Sequence, residues 1–123
     1  MDRTFLFFGS LLGFLGVVFG AFGAHALKSR LSADMLVVFE TGVRYQMYHA
    51  FAILIVAAAI GRIGDANLLV LAGWFFVAGV VLFSGSLYAL SLSGVGVLGA
   101  ITPVGGLLFL IGWGCLGLFA LRM

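Results

Sequence analysis

Charge is what this chain has least of. Its 123 residues include six Lys and Arg and four Asp and Glu, and charged residues make up 8% of the sequence, against about 25% in an ordinary globular domain. A water-soluble domain this small leaves a large share of its surface exposed, and so few charged side chains do not cover it. With 64% of residues hydrophobic and a mean hydropathy of +1.32, the solvent for most of the chain is lipid. The net charge is +2 and the charges sit singly between apolar runs. Without a Lys/Arg cluster, nucleic-acid binding has no support. Cysteine occurs once, at Cys115, which excludes an internal disulfide and leaves the redox compartment open. A lone cysteine in an apolar helix reads as a small buried hydrophobe. Catalytic signatures are missing as well: the histidines lack HExxH-type spacing, and Ser84-Gly85-Ser86 lacks the Gly-x-Ser-x-Gly elbow. The sequence therefore assigns no catalytic residue, no metal and no cofactor.

Long apolar runs are what it has in abundance. A spanning helix needs about 20 mostly apolar residues, and four segments qualify: Thr4–Leu27, Thr41–Ile60, Asn67–Ser91 and Ile101–Leu121. The breaks between them are short, which forces neighbouring helices to run antiparallel. The expected fold is all-α, an integral membrane four-helix bundle forming one transmembrane domain over residues 1–123. Ala24-His25-Ala26 looks like a signal-peptidase site, but the run before it is far longer than the ~7–15 residues of a signal-peptide core. The first run is read as a retained span. Leu31–Phe39 opens with Ser32-Ala33-Asp34, an N-cap followed by a first-turn acid. Two readings of this stretch stand: an interfacial helix before the second span, or the first turns of one long second helix. Pro103, the only proline, follows Thr102 and reads as a helix start, with Thr as cap and Pro in the first helical position. The basic residues are too evenly divided between the two sides to set orientation.

Three constellations stand out. Gly9, Gly13, Gly16, Gly20 and Gly23 fall within an arc of about 80° on the first helix. Glycines on one face let another backbone approach closely, either inside the bundle, at a subunit interface or along a solute path. The second constellation is a polar island, Glu40 to His49. Glu40, Thr41, Arg44, Tyr45, Tyr48 and His49 share half of the helix circumference, and Gln46 falls outside it. Glu40 and Arg44 are an i, i+4 pair in the favourable order, and the tyrosines suit a membrane interface. The island reads as a depth anchor, a binding or proton-handling site, or a catalytic site, since ionisable groups near a bilayer are functional candidates by default. His25 and His49 are expected toward the same side of the bilayer, within reach of each other or of Glu40. Third, Ser84, Tyr88 and Ser91 cluster within about 60° on the third helix, with Ser86 and Ser93 pointing away; hydroxyls there act as interhelical glue.

Four ordered motifs carry a resemblance: Gly20-Ala21-Phe22-Gly23-Ala24-His25-Ala26-Leu27, Glu40-Thr41-Gly42-Val43-Arg44-Tyr45-Gln46-Met47-Tyr48-His49-Ala50, Phe83-Ser84-Gly85-Ser86-Leu87-Tyr88 and Gly99-Ala100-Ile101-Thr102-Pro103-Val104-Gly105-Gly106. The chain resembles the domain-of-unknown-function 423 family of small bacterial membrane proteins (YgdD-like), to which eukaryotic transmembrane protein 256 looks related. The resemblance implies a multi-pass protein of the bacterial inner membrane and supplies no reaction, ligand or partner. Two functions follow as expectations. One is a structural, interactive or membrane-stabilising component acting through the lipid bilayer, as a homo-oligomer or within a larger membrane complex. The other is a homo-oligomeric pathway for a small solute or ion. A membrane enzyme using Glu40, Tyr45, Tyr48 and His49 for proton transfer ranks third.

Overall fold

The computed structural model describes residues 1–123 as helices joined by short turns, without strands. Helix α1 (Asp2–Val17) passes through a π-helical segment (Val18–Gly23) into the short α2 (Ala24–Leu27), giving one 26-residue rod. The second rod is α3 (Ala33–Ile63), the third is α4 (Asn67–Ser93), and a 3-10 turn (Gly96–Ala100) leads into the fourth, α5 (Thr102–Arg122). Each rod is long and apolar enough to cross a membrane.

Local chemistry sets the ends. The Ser32 hydroxyl accepts the Met35 N–H at 3.2 Å and caps α3. Residues 33–40 are therefore the opening turns of the second rod, and no separate helix precedes it. At about 1.5 Å per residue its 31 residues span roughly 46 Å, longer than the ~30 Å hydrocarbon layer. Its polar beginning therefore projects toward the headgroups. Gly64 ends α3 with φ +101° and Gly94 ends α4 with φ +72°, backbone states that a Cβ disfavours. At α5 the expected cap is displaced by one residue. Ile101 holds the N-cap position without a side-chain bond and Thr102 lies inside the first turn with Pro103. The Thr102 hydroxyl is engaged elsewhere, 2.6 Å from Ser86 Oγ on α4.

Packing runs in sequence order, α1 on α3, α3 on α4 and α4 on α5. The α3/α4 pair is the centre, and α1 and α5 are its flanks: 44% and 39% of the most apolar stretches of α3 and α4 are buried, against 17% in each outer rod. Lipid is as apolar as leucine, so helices here are held by close contact and hydrogen bonds rather than by escape from water. The contacts are rings against glycine notches. Phe5 lies over Gly73, Phe109 over Gly79 and Phe76 over Gly112. A Cβ at Gly73 or Gly79 would come within 2.4 Å of the ring it faces. Phe5, Phe76 and Phe109 join Ile53, Val56 and Leu69 in one core at the end of the bundle nearer the chain termini.

Candidate functional site

The buried face of α3 contains Gly42, Gln46, His49, Ile53, Val56 and Ile60, and on a helical wheel its centre lies about 40° from Gln46 and about 20° from His49. This register decides where the polar island goes. Glu40 and Arg44 lie on the opposite, exposed face. Their carboxylate and guanidinium are not within ion-pair distance, and neither bonds another side chain. Tyr45 and Tyr48 are also exposed, at 36% and 54%, in edge contact with ring centroids 5.7 Å apart. The Thr41 hydroxyl donates back to the Val37 carbonyl at 2.8 Å. His49 alone of the expected cluster is buried, at 4%. His25 is exposed on α2, about a membrane leaflet away from His49 along the bundle. The two histidines and Glu40 thus do not meet, because the helix that carries the island turns its charges outward and only His49 inward.

Gln46 sits at the centre, 2% exposed. Its amide Nε2 donates to the Leu12 carbonyl at 2.8 Å, and its Oε1 accepts the Tyr88 hydroxyl at 2.6 Å. One side chain thereby ties α1, α3 and α4. Ser84, fully buried, donates to the Gly42 carbonyl at 2.6 Å. The Tyr88 ring fills the space over Gly42, between Phe19 and Phe39. Ser91 donates to the Tyr88 carbonyl at 3.0 Å, and Ser86 to that of Phe83 at 2.9 Å. Sequence reasoning set Gln46 aside, although it shares with His49 the register of Gly42, Ile53, Val56 and Ile60. That apolar-and-small register was the signal available.

His49 joins α3 to α5. Its Nδ1 lies 2.7 Å from the Tyr45 carbonyl, and its Nε2 lies 3.1 Å from Trp113 Nε1. A carbonyl only accepts and an indole N–H only donates. The ring is therefore the neutral tautomer with its proton on Nδ1, and Nε2 accepts from Trp113. Phe109 stacks on the imidazole at 3.5 Å with an interplanar angle of 6°. Trp113 was not foreseen, because nothing local in α5 marks it as a partner for a residue 64 positions away.

The glycine face of the first rod meets α3. A Cβ at Gly9 would approach Leu54, one at Gly16 Met47, one at Gly20 Val43 and one at Gly23 Phe39. Gly13 meets nothing within 4 Å and lies in an open groove of about 550 Å³ between α1 and α3. No buried side-chain nitrogen or oxygen lacks a hydrogen-bond partner. No three His, Cys, Asp or Glu side chains gather where they would hold a metal ion. Chemically, the interior polar groups are occupied in holding helices together.

A family model described as "Protein of unknown function (DUF423)" matches residues 19–106, which is most of the chain. The chain belongs to the DUF423 family. Curated relatives are similar over nearly the whole DUF423 protein. UPF0382 membrane protein YwdK of Bacillus subtilis is 44% identical over 90% of both chains. UPF0382 membrane protein SAB0533 of Staphylococcus aureus is 46% identical over 90% of this chain and 89% of its own. A UPF0382 membrane protein of Haemophilus influenzae is 44% identical over 92% and 90%. No solved structure matches. With relatives named as membrane proteins and four spanning-length apolar helices, this DUF423 protein is a multi-pass membrane protein. The family match encloses α3 and α4 with Gln46, His49, Ser84 and Tyr88, whereas Leu12 and Trp113 lie outside it.

Proposed function

We propose that this protein is a non-catalytic structural component of the bacterial inner membrane, acting through contacts with lipid and with other membrane proteins. One observation carries this reading: every buried polar side chain is committed to an interhelical or intrahelical bond. Polar groups in a membrane interior are expensive and are retained where they have work to do. Here that work is joining α1, α3, α4 and α5. A conducting monomer would need a polar-lined path, and the space between these helices is filled by Phe5, Ile53, Phe76, Phe109 and their neighbours.

The test is reconstitution into liposomes with entrapped ion-sensitive and solute-sensitive dyes. The expected flux equals that of empty liposomes, and cells lacking the protein should show altered resistance to membrane-perturbing agents. Specific flux abolished by Glu40→Gln or Arg44→Gln would replace this reading with that of a homo-oligomeric channel or transporter.

A further inference from the structure

The outer face of α3 presents three chemistries in a fixed order. Leu54, Phe51 and Met47 line the α1/α3 groove together with Gly9, Gly13 and Phe14 of α1. Arg44 is the next residue of that face toward the beginning of α3, and Glu40 is one turn further. On a helix of about 100° per residue, Glu40, Arg44, Met47, Phe51 and Leu54 fall within an arc of roughly 80°. The face is therefore apolar, then cationic, then anionic.

Depth gives the order its meaning. Arg62, near the other end of α3, shares this face and lies about 27 Å from Arg44 along the axis, close to the ~30 Å hydrocarbon thickness. A bilayer placed with Arg62 at one headgroup layer puts Arg44 at the other, with Phe51 and Ile55 between them, each more than half exposed. Arg44 then stands at phosphate level. Glu40, roughly 6 Å further out, stands where headgroup meets water. Glu40 and Arg44 have the spacing to pair with each other, yet each is left without a protein partner. Tyr48, one turn inside Arg44 and 54% exposed, makes no hydrogen bond through its hydroxyl. Beside the groove mouth the first rod departs from α-helix, and Val18 and Phe22 of the π-helical segment form its upper wall. Such widened turns recur at functional sites.

We propose that this face binds one ammonium-bearing phospholipid, with phosphatidylethanolamine as the simplest case. An acyl chain lies in the α1/α3 groove. The phosphate takes the Arg44 guanidinium, a fork suited to phosphate oxygens, and the Tyr48 hydroxyl. The ammonium takes the Glu40 carboxylate. The order of groove, cation and anion along α3 matches the order of chain, phosphate and ammonium in the lipid. A phosphatidylglycerol headgroup satisfies Arg44 but offers nothing to Glu40. The site deepens the reading of a lipid-contacting structural component and rests on it, but its test is independent of flux.

The experiment is native mass spectrometry of the full chain, delipidated in mild detergent and titrated with mixed micelles of equal dioleoyl phosphatidylethanolamine and dioleoyl phosphatidylglycerol. The expected first bound lipid is phosphatidylethanolamine, favoured over phosphatidylglycerol by about tenfold, the scale of one charge-assisted contact. Arg44→Gln should lower retention of both lipids by about tenfold and Arg44→Lys by less. Glu40→Gln should bring the two headgroups to near parity while phosphatidylglycerol retention holds. Gly13→Leu fills the groove where a Cβ has open space, so it should reduce both lipids without lowering the unfolding temperature. Equal retention of the two headgroups by the wild type, or Arg44→Gln behaving as wild type, overturns the proposal. A channel found by flux with this headgroup selectivity intact would overturn the structural reading and leave the lipid site standing.

Discussion

The Gln46–Tyr88 bond offers the most direct measure of what holds the central helices together. Tyr88→Phe removes the donor and leaves Gln46 Oε1 without a partner at a site 2% exposed. Gln46→Leu removes the acceptor, strands the Tyr88 hydroxyl and also breaks the bond to Leu12. An interhelical hydrogen bond in a membrane protein contributes about 0.6 kcal/mol on average and up to about 1.7, and stranding a buried polar group costs about 1–3 kcal/mol. The 2.6 Å contact is short and lies at a buried site, so each single change should destabilise by about 1–2 kcal/mol. In the double variant a Leu faces a Phe and no polar group is stranded by the lost pair. Its cost should fall about 1 kcal/mol short of the sum of the singles. Reversible unfolding in mixed dodecylmaltoside–SDS micelles, followed by far-UV circular dichroism, yields all four corners of the cycle. Single effects that add to within about 0.3–0.5 kcal/mol would mean that the two side chains are uncoupled, and the account of Gln46 as the tie between α1, α3 and α4 would fall.

The remaining predictions concern other parts of the bundle. Nitrogen-15 NMR of labelled His49 should report a neutral ring with a pyrrole-type Nδ1 and a pyridine-type Nε2, the Nε2 resonance moving in Trp113→Phe; a pyrrole-type Nε2 would contradict the bond to the indole. Alanine at the glycines should rank by what the new Cβ meets. Gly105→Ala, 2.4 Å from the Phe83 backbone nitrogen, should cost about 3 kcal/mol, Gly42→Ala against the Tyr88 ring about 1–3, and Gly16→Ala, facing the flexible Met47, less. Gly13→Ala should be neutral or stabilise by up to about 1 kcal/mol, and thermal unfolding in detergent checks the order. Ser32→Ala should cost about 1 kcal/mol and raise hydrogen exchange at Met35 and the neighbouring first-turn amides, with no change deep in α3.

Much of the architecture was legible because it is local. Four apolar runs gave four rods, and Ser32, read as an N-cap, caps α3, although two readings of the stretch after it stood until the structure joined it to the second rod. What an isolated helix conceals is the direction of its neighbours. The sequence alone gives the angles between Glu40, Arg44, Gln46 and His49 but not the origin from which to measure them. On that ground the charged half of the island looked like the site, and Gln46 looked peripheral.

What the sequence determined on its own was the solvent, the number and spacing of the rods and the antiparallel order, since hydropathy, cap chemistry and short connections each act over a few residues. Only the tertiary structure decided that Gln46 and His49 turn inward to Leu12, Tyr88 and Trp113 while Glu40 and Arg44 turn outward. The physical reason is that, without a water-driven force between helices, the rotation of each rod is set by which glycine notch accepts which ring and which buried amide finds its partner. Those pairings join residues tens of positions apart, and no local pattern records them.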